Sequence, residues 1–365
     1  MKISIERDRL LDGLQTVQNV VPTRNNLQIL ANALIKAENQ QVTITATDLD
    51  MSVRCRVPAE VEEKGTTTLP VRRLLGIVRE LPVGSISIDI SEEDQAVLQS
   101  GASYFKIIGM PMRDFPPVPG TDGKSCYRIE QGAFREMLKK TAYASSIDET
   151  RRVLNGVLLA FRSGKLTMVA TDGRRLALVE HEVEFPSDEE VEMILPTKAV
   201  NELMHILKDE GDLAIHGQKN QVVFEFGETM MSTKLIEGVY PNYRQVIPSA
   251  CEERVTVERE ALLAAMRRVS LVTTDKSNAT RLTFGGNQLV IVTQTPEVGE
   301  ARETMPIKYN GKQIEIIFNP EYVMDPLRNL EGDEVYIEMN DGHSPALIKC
   351  DLPFLYVLMP LRMTA

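Results

Sequence analysis

A chain of 365 residues is long enough for two or three domains rather than one. With 43% hydrophobic and 25% charged residues it has the composition of a soluble globular protein, and with 5% aromatics and no Trp its cores must be filled mainly by aliphatic side chains. The formal net charge of −11 argues against a nucleic-acid partner unless basic residues are segregated onto one surface.

Taken in chain order, the predicted elements form one pattern written three times. The first copy opens with ISIERDRLLDGLQTV from Ile3, a short alternating strand running into an amphipathic helix over 7–19. The strand QVTITA then leads to Thr47-Asp48, TTLPVRRLLGIVREL gives a second helix over 70–81, AVLQSG follows, and the copy closes near Asp114-Phe115-Pro116. The second copy opens with YRIEQGAFREMLKKT from Tyr127, with a helix over 131–142. KLTMVA leads to Thr171-Asp172, MILPTKAVNELMHIL gives a helix over 196–207, QVVFEF follows, and the copy closes near Val239-Tyr240-Pro241. The third opens with VTVEREALLAAMRRV from Val255, with a helix over 259–270. QLVIVTQTPE stands where the other copies have their Thr-Asp turn, EIIFNPEYVMDPLRNL gives a helix over 319–330, and the end lies near Leu358-Met359-Pro360. Pro70, Pro196 and Pro320 are each expected to open a helix, where the missing N–H has no partner to lose. Pro326 lies inside the last helix and is expected to kink or shorten it.

Aligned on Glu6, Glu130 and Glu258, the copies are 124 and 128 residues apart, the size of a domain. Four residues on stand Leu10, Phe134 and Leu262; eight residues on stand Leu14, Leu138 and Met266, which marks one buried stripe on each helix. Polar, turn-prone boundaries near Gly120–Ser125 and Ser249–Glu253 divide the chain into domains 1–122, 126–249 and 253–365. The fold class is α+β, with two helices packed on antiparallel sheets in each domain and six helices per chain.

ATDLDMSVR in the first copy, RRVLNGVLL and ATDGRRLAL in the second, YPNYRQVIP at its end and YVLMPLRM near the C-terminus resemble the beta sliding clamps of bacterial DNA polymerase III, over essentially the whole chain. The resemblance implies three tandem clamp domains and a head-to-tail homodimer. It also implies a ring lined by the helices of both chains, encircling duplex DNA without reading its sequence and tethering a replicative polymerase, a clamp loader and other proteins that carry a clamp-binding motif.

The charge distribution fits such a ring. The six helices carry thirteen basic and eight acidic side chains, net positive in a chain that is net negative. The residues expected at DNA are Arg24, Arg72, Arg73, Arg79, Arg135, Lys139, Lys140, Lys198, Arg267 and Arg268, holding phosphates and not base edges. Ordinary solvated helix faces carry the same residue types.

For the partner groove, the positions that match the family are Leu154, Thr171, Gly173, Arg174, Arg175, Leu176, Pro241, Val246, Val357, Met359, Pro360, Leu361 and Arg362. Leu, Val, Met and Pro offer an adaptable apolar floor, and Arg and backbone groups orient a peptide at the rim. Taken singly, Leu154, Leu176 and Val357 also read as core. Arg174 stands where the family commonly has His and Gln245 where it commonly has Arg, and Met363-Thr364-Ala365 extends the tail. The dimer seam is expected at Phe105 and Ile107 against Leu271 and Val272, with Glu297, Glu300 and Glu303 facing basic residues such as Arg73 and Lys106.

No catalytic residue, metal or cofactor is expected. His181, His205, His216 and His343 have no metal-ligand spacing, and G-x-S-x-G, P-loop and G-x-G-x-x-G motifs are absent. Cys55, Cys126, Cys251 and Cys350 form no C-x-x-C pair, which argues against zinc ribbons and disulfide frameworks and fits a reducing, cytoplasmic setting. The N-terminus MKISIERDRLLDGL holds no apolar signal core, and no apolar run is long enough to span a bilayer. Asp48 and Asp172, each after a strand, read as turn residues. Two other readings stay open: a clamp-fold scaffold that does not encircle DNA, and a hydrolase using those two aspartates.

Overall fold

The computed structural model describes residues 1–23, 26–90, 94–120, 126–183, 190–274 and 278–361. Six helices form within a residue of their expected bounds: α1 (Arg7–Gln18), α2 (Val71–Glu80), α3 (Gln131–Thr141), α4 (Thr197–Ile206), α5 (Arg259–Ser270) and α6 (Pro320–Asn329). The expected stripe is their inner face: Leu10, Leu14, Phe134, Leu138, Leu262 and Met266 are all buried. Each such side chain contributes about 1.5–3 kcal/mol by leaving water.

Two of the three prolines expected to open helices do not. Pro70 and Pro196 end strands, Gly65–Pro70 and Val191–Pro196, and do not open helices. Pro70 is extended, with φ −67° and ψ 112°, and hands the chain to α2 from outside its first turn. Only Pro320 sits in a first turn, beside an Asn319 cap whose side chain accepts from the Glu321 N–H at 3.0 Å. Nor does Pro326 shorten α6, which runs on to Asn329. Its missing N–H leaves the Tyr322 carbonyl without its helical donor. The Tyr356 hydroxyl donates to that carbonyl at 2.8 Å and replaces the lost bond from a neighbouring strand.

The chain forms two compact units, Met1–Arg135 with Asn201–Leu235, and Glu136–Val200 with Ile236–Ala365. The first holds a five-stranded sheet in the order Glu60–Glu63, Lys2–Glu6, Ser85–Ile90, Gln95–Ser100, Ser103–Ile108. It also holds an eight-stranded sheet in the order Tyr127–Glu130, Asp212–Gly217, Gln221–Phe226, Thr229–Lys234, Met51–Pro58, Gln41–Thr47, Asn32–Glu38, Gly65–Pro70. The second unit has an eight-stranded sheet of the same construction, in the order Val191–Pro196, Gly156–Arg162, Lys165–Thr171, Arg175–Glu182, Phe354–Leu358, Ala346–Lys349, Glu334–Met339, Glu253–Glu258. Its other sheet is four-stranded, Gly299–Pro306, Gln288–Thr295, Thr280–Gly285, Ile314–Phe318.

Each eight-stranded sheet joins two successive repeats. Thr229–Lys234, the last strand of the second repeat, pairs antiparallel with Met51–Pro58 of the first, with Met231 opposite Val53 and a buried Ser52–Ser232 hydroxyl contact of 2.6 Å at the join. Phe354–Leu358, the last strand of the third repeat, pairs in the same way with Arg175–Glu182 of the second, with Leu176 opposite Val357. The middle repeat is therefore divided between the two compact units, and both joins are ladders of backbone hydrogen bonds.

A second device recurs at the helix pairs. Arg7, at the start of α1, donates to the Val78 and Arg79 carbonyls at the end of α2, at 3.2 and 2.8 Å. Arg259, at the start of α5, donates to the Gly332 and Leu327 carbonyls at 2.7 and 2.9 Å. The equivalent residue of the middle repeat is Gln131, whose amide bonds the Glu210 carbonyl and the Lys208 N–H, both at 3.2 Å. The contacts to Val78, Arg79 and Leu327 satisfy carbonyls that a helix end leaves without partners, and the two arginines also complement its negative pole.

Tyr356→Phe should leave the Tyr322 carbonyl without a donor and destabilise the protein by about 1–3 kcal/mol, read from urea unfolding followed by circular dichroism. In a Pro326→Ala background, where a helical N–H returns to that carbonyl, the same substitution should cost clearly less.

Candidate functional site

The Thr-Asp motif folds the same way in both repeats that carry it. Asp48 accepts from the Asp50 and Met51 N–H groups at 3.0 and 2.7 Å, and Asp172 from the Arg174 and Arg175 N–H groups at 2.8 and 3.0 Å. Thr47 and Thr171 each donate to the carbonyl four residues on, at 2.9 and 2.6 Å. The expected turn role of both aspartates is thus seen directly. The turn needs a left-handed residue, Leu49 at φ 80° in one copy and Gly173 at φ 85° in the other. Glycine takes that conformation without the Cβ clash that leucine meets.

Around the second turn, within one compact unit, the expected groove residues divide into floor and rim. Leu154, Leu176 and Val357 are buried in one cluster with Tyr240 and Tyr243. Val246 and Met359 stay 48% and 41% exposed, and Pro241, Gly173 and Arg174 are exposed as well. The Met359 N–H bonds the Arg174 carbonyl at 3.0 Å and the Leu361 N–H bonds the Ile317 carbonyl at 2.8 Å, so this segment runs from the turn to the strand Ile314–Phe318 with Pro360 half-buried between. Arg362 lies outside the described residues, as do the tail residues 363–365. An apolar floor with exposed Val, Met and Pro at its lip suits an apolar peptide side chain. Tyr240 and Tyr243 were not among the residues singled out from the sequence; the motif YPNYRQVIP contains both, but nothing local shows that they point inward.

Arg175 is not a free rim group. Its guanidinium donates to Asp172 at 3.1 Å, to the Tyr143 carbonyl at 2.7 Å and to Asp325, and its carbon lies 4.3 Å from the centre of the Tyr322 ring. Burial opposes its charge, but Tyr356, Asp325 and Asp172 outweigh that and hold its pKa above the ordinary arginine value. Next to it a cavity of about 380 Å³ opens between Ser145–Asp148, Arg151, Asp172, Arg174 and Tyr322, with Ile147 at its edge 97% exposed.

The cationic residues also fall into two sets. Arg72, Arg73 and Arg79 on α2, Lys198 on α4 and Arg267 and Arg268 on α5 are exposed. Arg135 is half-buried, paired with Asp209 at 2.7 Å and bonded to the Leu207 carbonyl at 3.2 Å. Lys139 and Lys140 flank Glu136 at 3.5 and 3.8 Å. Arg24 lies outside the described residues.

Three family models cover almost the whole chain: the DNA polymerase III beta subunit N-terminal domain over residues 1–119, its central domain over 128–242 and its C-terminal domain over 244–362. The chain belongs to the DNA polymerase III beta subunit family. Among relatives, the beta sliding clamp of Pseudomonas aeruginosa is 34% identical and that of Chlamydia muridarum 32%, in both cases over 100% of this chain and at least 99% of the relative. Among solved structures, the DNA polymerase III subunit beta of Pseudomonas aeruginosa aligns with a TM-score of 0.95 at 33% identity, and the DNA polymerase sliding clamp of Bacillus subtilis with 0.95 at 27%, each over 100% of both chains. The fold is accordingly three tandem clamp domains, with six helices and antiparallel sheets.

In this member of the beta subunit family the residues expected at the seam lie on or beside two edge strands and at the end of α5. Ser103–Ile108 ends the five-stranded sheet with Phe105 36%, Tyr104 59% and Ile108 74% exposed, whereas Ile107 is buried in the sheet's own core. Gly299–Pro306 ends the four-stranded sheet, and α5 packs on it with Leu271 80% exposed at its end and Val272 half-buried. Glu297 and Glu300 are exposed. Glu303 is held within its own chain by a two-bond pair with Arg268, at 2.7 and 3.0 Å, which lowers the Glu303 pKa. The sequence does not single out Tyr104 and Ile108 as exposed, because apolar residues on both faces of SYFKII hide which face is outward.

Proposed function

We propose that this DNA sliding clamp closes as a head-to-tail homodimer around duplex DNA and tethers a replicative polymerase and other motif-bearing proteins through the Leu154–Leu176–Val357 groove. The carrying observation is the pairing rule inside the chain. The strand Met51–Pro58 of the first repeat takes the last strand of the second, and Arg175–Glu182 of the second takes the last strand of the third. By position in the repeat, Gly299–Pro306 is the corresponding acceptor in the third repeat and Ser103–Ile108 the corresponding last strand in the first. Both stand at sheet edges within one chain. An edge that no described strand covers is a template for another strand, and a second copy offers the complementary one. Domains bounded at 1–122, 126–249 and 253–365 follow the same rule.

In such a ring Arg72, Arg73, Arg79, Arg135, Lys139, Lys140, Lys198, Arg267, Arg268 and Arg24 face phosphates, and the contact is sequence-neutral because base edges are not engaged. Glu297 and Glu300 are free to meet the partner chain's basic residues, while Glu303 acts first on Arg268. The role is non-catalytic: the protein lends processivity to a polymerase, is opened by a clamp loader and works in the cytoplasm.

Leu271→Ala with Val272→Ala should convert the dimer to monomers, because central apolar contacts dominate interface energy. Sedimentation at micromolar protein checks this, and a persistent dimer would place the seam elsewhere. Met359→Ala should weaken binding of a labelled peptide bearing adjacent leucine and phenylalanine by roughly tenfold, about 1.4 kcal/mol. Deleting residues from Met359 onward should abolish polymerase stimulation in primer extension while the protein stays dimeric. Unchanged peptide affinity in the truncated protein would move the partner site off this groove.

A further inference from the structure

The groove's rim turn is also held by a side chain of α6, Asp325, through Arg175. Asp325 meets the Arg175 guanidinium with one carboxylate oxygen and Arg328 with the other, at 3.2 Å. Arg175 in turn holds the Asp172 carboxylate at 3.1 Å, and Asp172 fixes the backbone of Arg174, whose carbonyl anchors Met359. The chain of contacts is largely out of water, with the side chains of Arg175, Asp172 and Asp325 only 11%, 15% and 21% exposed. We propose that Asp325 is a positioning residue for peptide recognition: by fixing Arg175 it sets the Asp172 turn and the place of Met359.

The physical reason is the charge balance around Arg175. Two carboxylates flank one guanidinium, and the ring of Tyr322 covers its face. With Asp325 neutral, Asp172 is the carboxylate left on the guanidinium, beside the Tyr143 carbonyl, and can draw it toward the turn and away from α6. A shift of the turn moves the Arg174 carbonyl and the Met359 N–H with it, because those two groups share a hydrogen bond. The groups are in contact, so their substitutions should couple and not add. This inference rests on the groove being the peptide site.

The test is a double-mutant cycle on the whole 365-residue chain, read by anisotropy of the labelled leucine–phenylalanine peptide. Asp325→Asn should weaken peptide binding by roughly tenfold while near-ultraviolet circular dichroism shows the protein still folded, and Asp325→Glu should recover part of the loss. In an Arg175→Met background, Asp325→Asn should produce no further loss, since it acts through Arg175. A merely destabilising role predicts a lowered melting temperature in both backgrounds and full affinity below melting. Unchanged affinity in Asp325→Asn, or equal losses in the two backgrounds, overturns the inference and leaves the groove reading standing. Failure of the wild-type protein to bind the peptide overturns both.

Discussion

A strand at the edge of a sheet presents a row of backbone donors and acceptors that must be paired, covered or left to water, and closing such rows governs how this chain is assembled. None of the repeats keeps its strands to itself. The last strand of the second repeat completes a sheet begun by the first, and the last strand of the third completes a sheet begun by the second. Side chains then decide how firm each join is, through the buried Ser52–Ser232 contact in one and the Leu176–Val357 pair in the other. The groove lies beside the second join because the same turn that ends Lys165–Thr171 starts the strand that pairs with Phe354–Leu358. A groove built there depends on both repeats at once.

The charges follow a related logic. A net charge of −11 keeps most of the surface unattractive to phosphate, while α2, α4 and α5 present exposed cations. Several basic residues on the helices are also engaged within the chain. Arg7 and Arg259 complete helix ends, Arg135 binds Asp209 and the end of α4, and Arg268 is shared with Glu303. Exposed residues outside these contacts, among them Arg72, Arg73, Arg79 and Arg267, add to the long-range field.

Much of this was legible in the sequence because it is local. The helix stripes at Leu10, Phe134 and Leu262, the Asx turns at Asp48 and Asp172 and the threefold repeat all follow from spacings of a few residues or from one long period. The rest depends on contacts between distant segments. Spacing alone makes Pro326 a helix breaker, and only the hydroxyl of Tyr356, thirty residues on, cancels that effect. The adjacent pair Arg174-Arg175 reads as two rim cations, yet Arg175 is drawn inward by Asp325 and Tyr322 while Arg174 remains outside. The repeat shows that the copies are alike but not that their sheets run across the boundaries, since strand pairing leaves no trace in periodicity. Ile107 looked equivalent to Phe105 and is instead core.

The central claim is that two chains hold DNA by enclosure and not by grip, and one measurement separates these directly. The protein is loaded onto closed circular DNA by a clamp loader, washed at high salt, and the bound fraction is followed before and after the circle is cut once. Enclosure predicts retention through the wash, because scattered phosphate contacts are weakened by salt but a closed ring is not, followed by prompt release on cutting. Loss of the protein from uncut circles at high salt, or retention after cutting into a linear molecule with free ends, contradicts it.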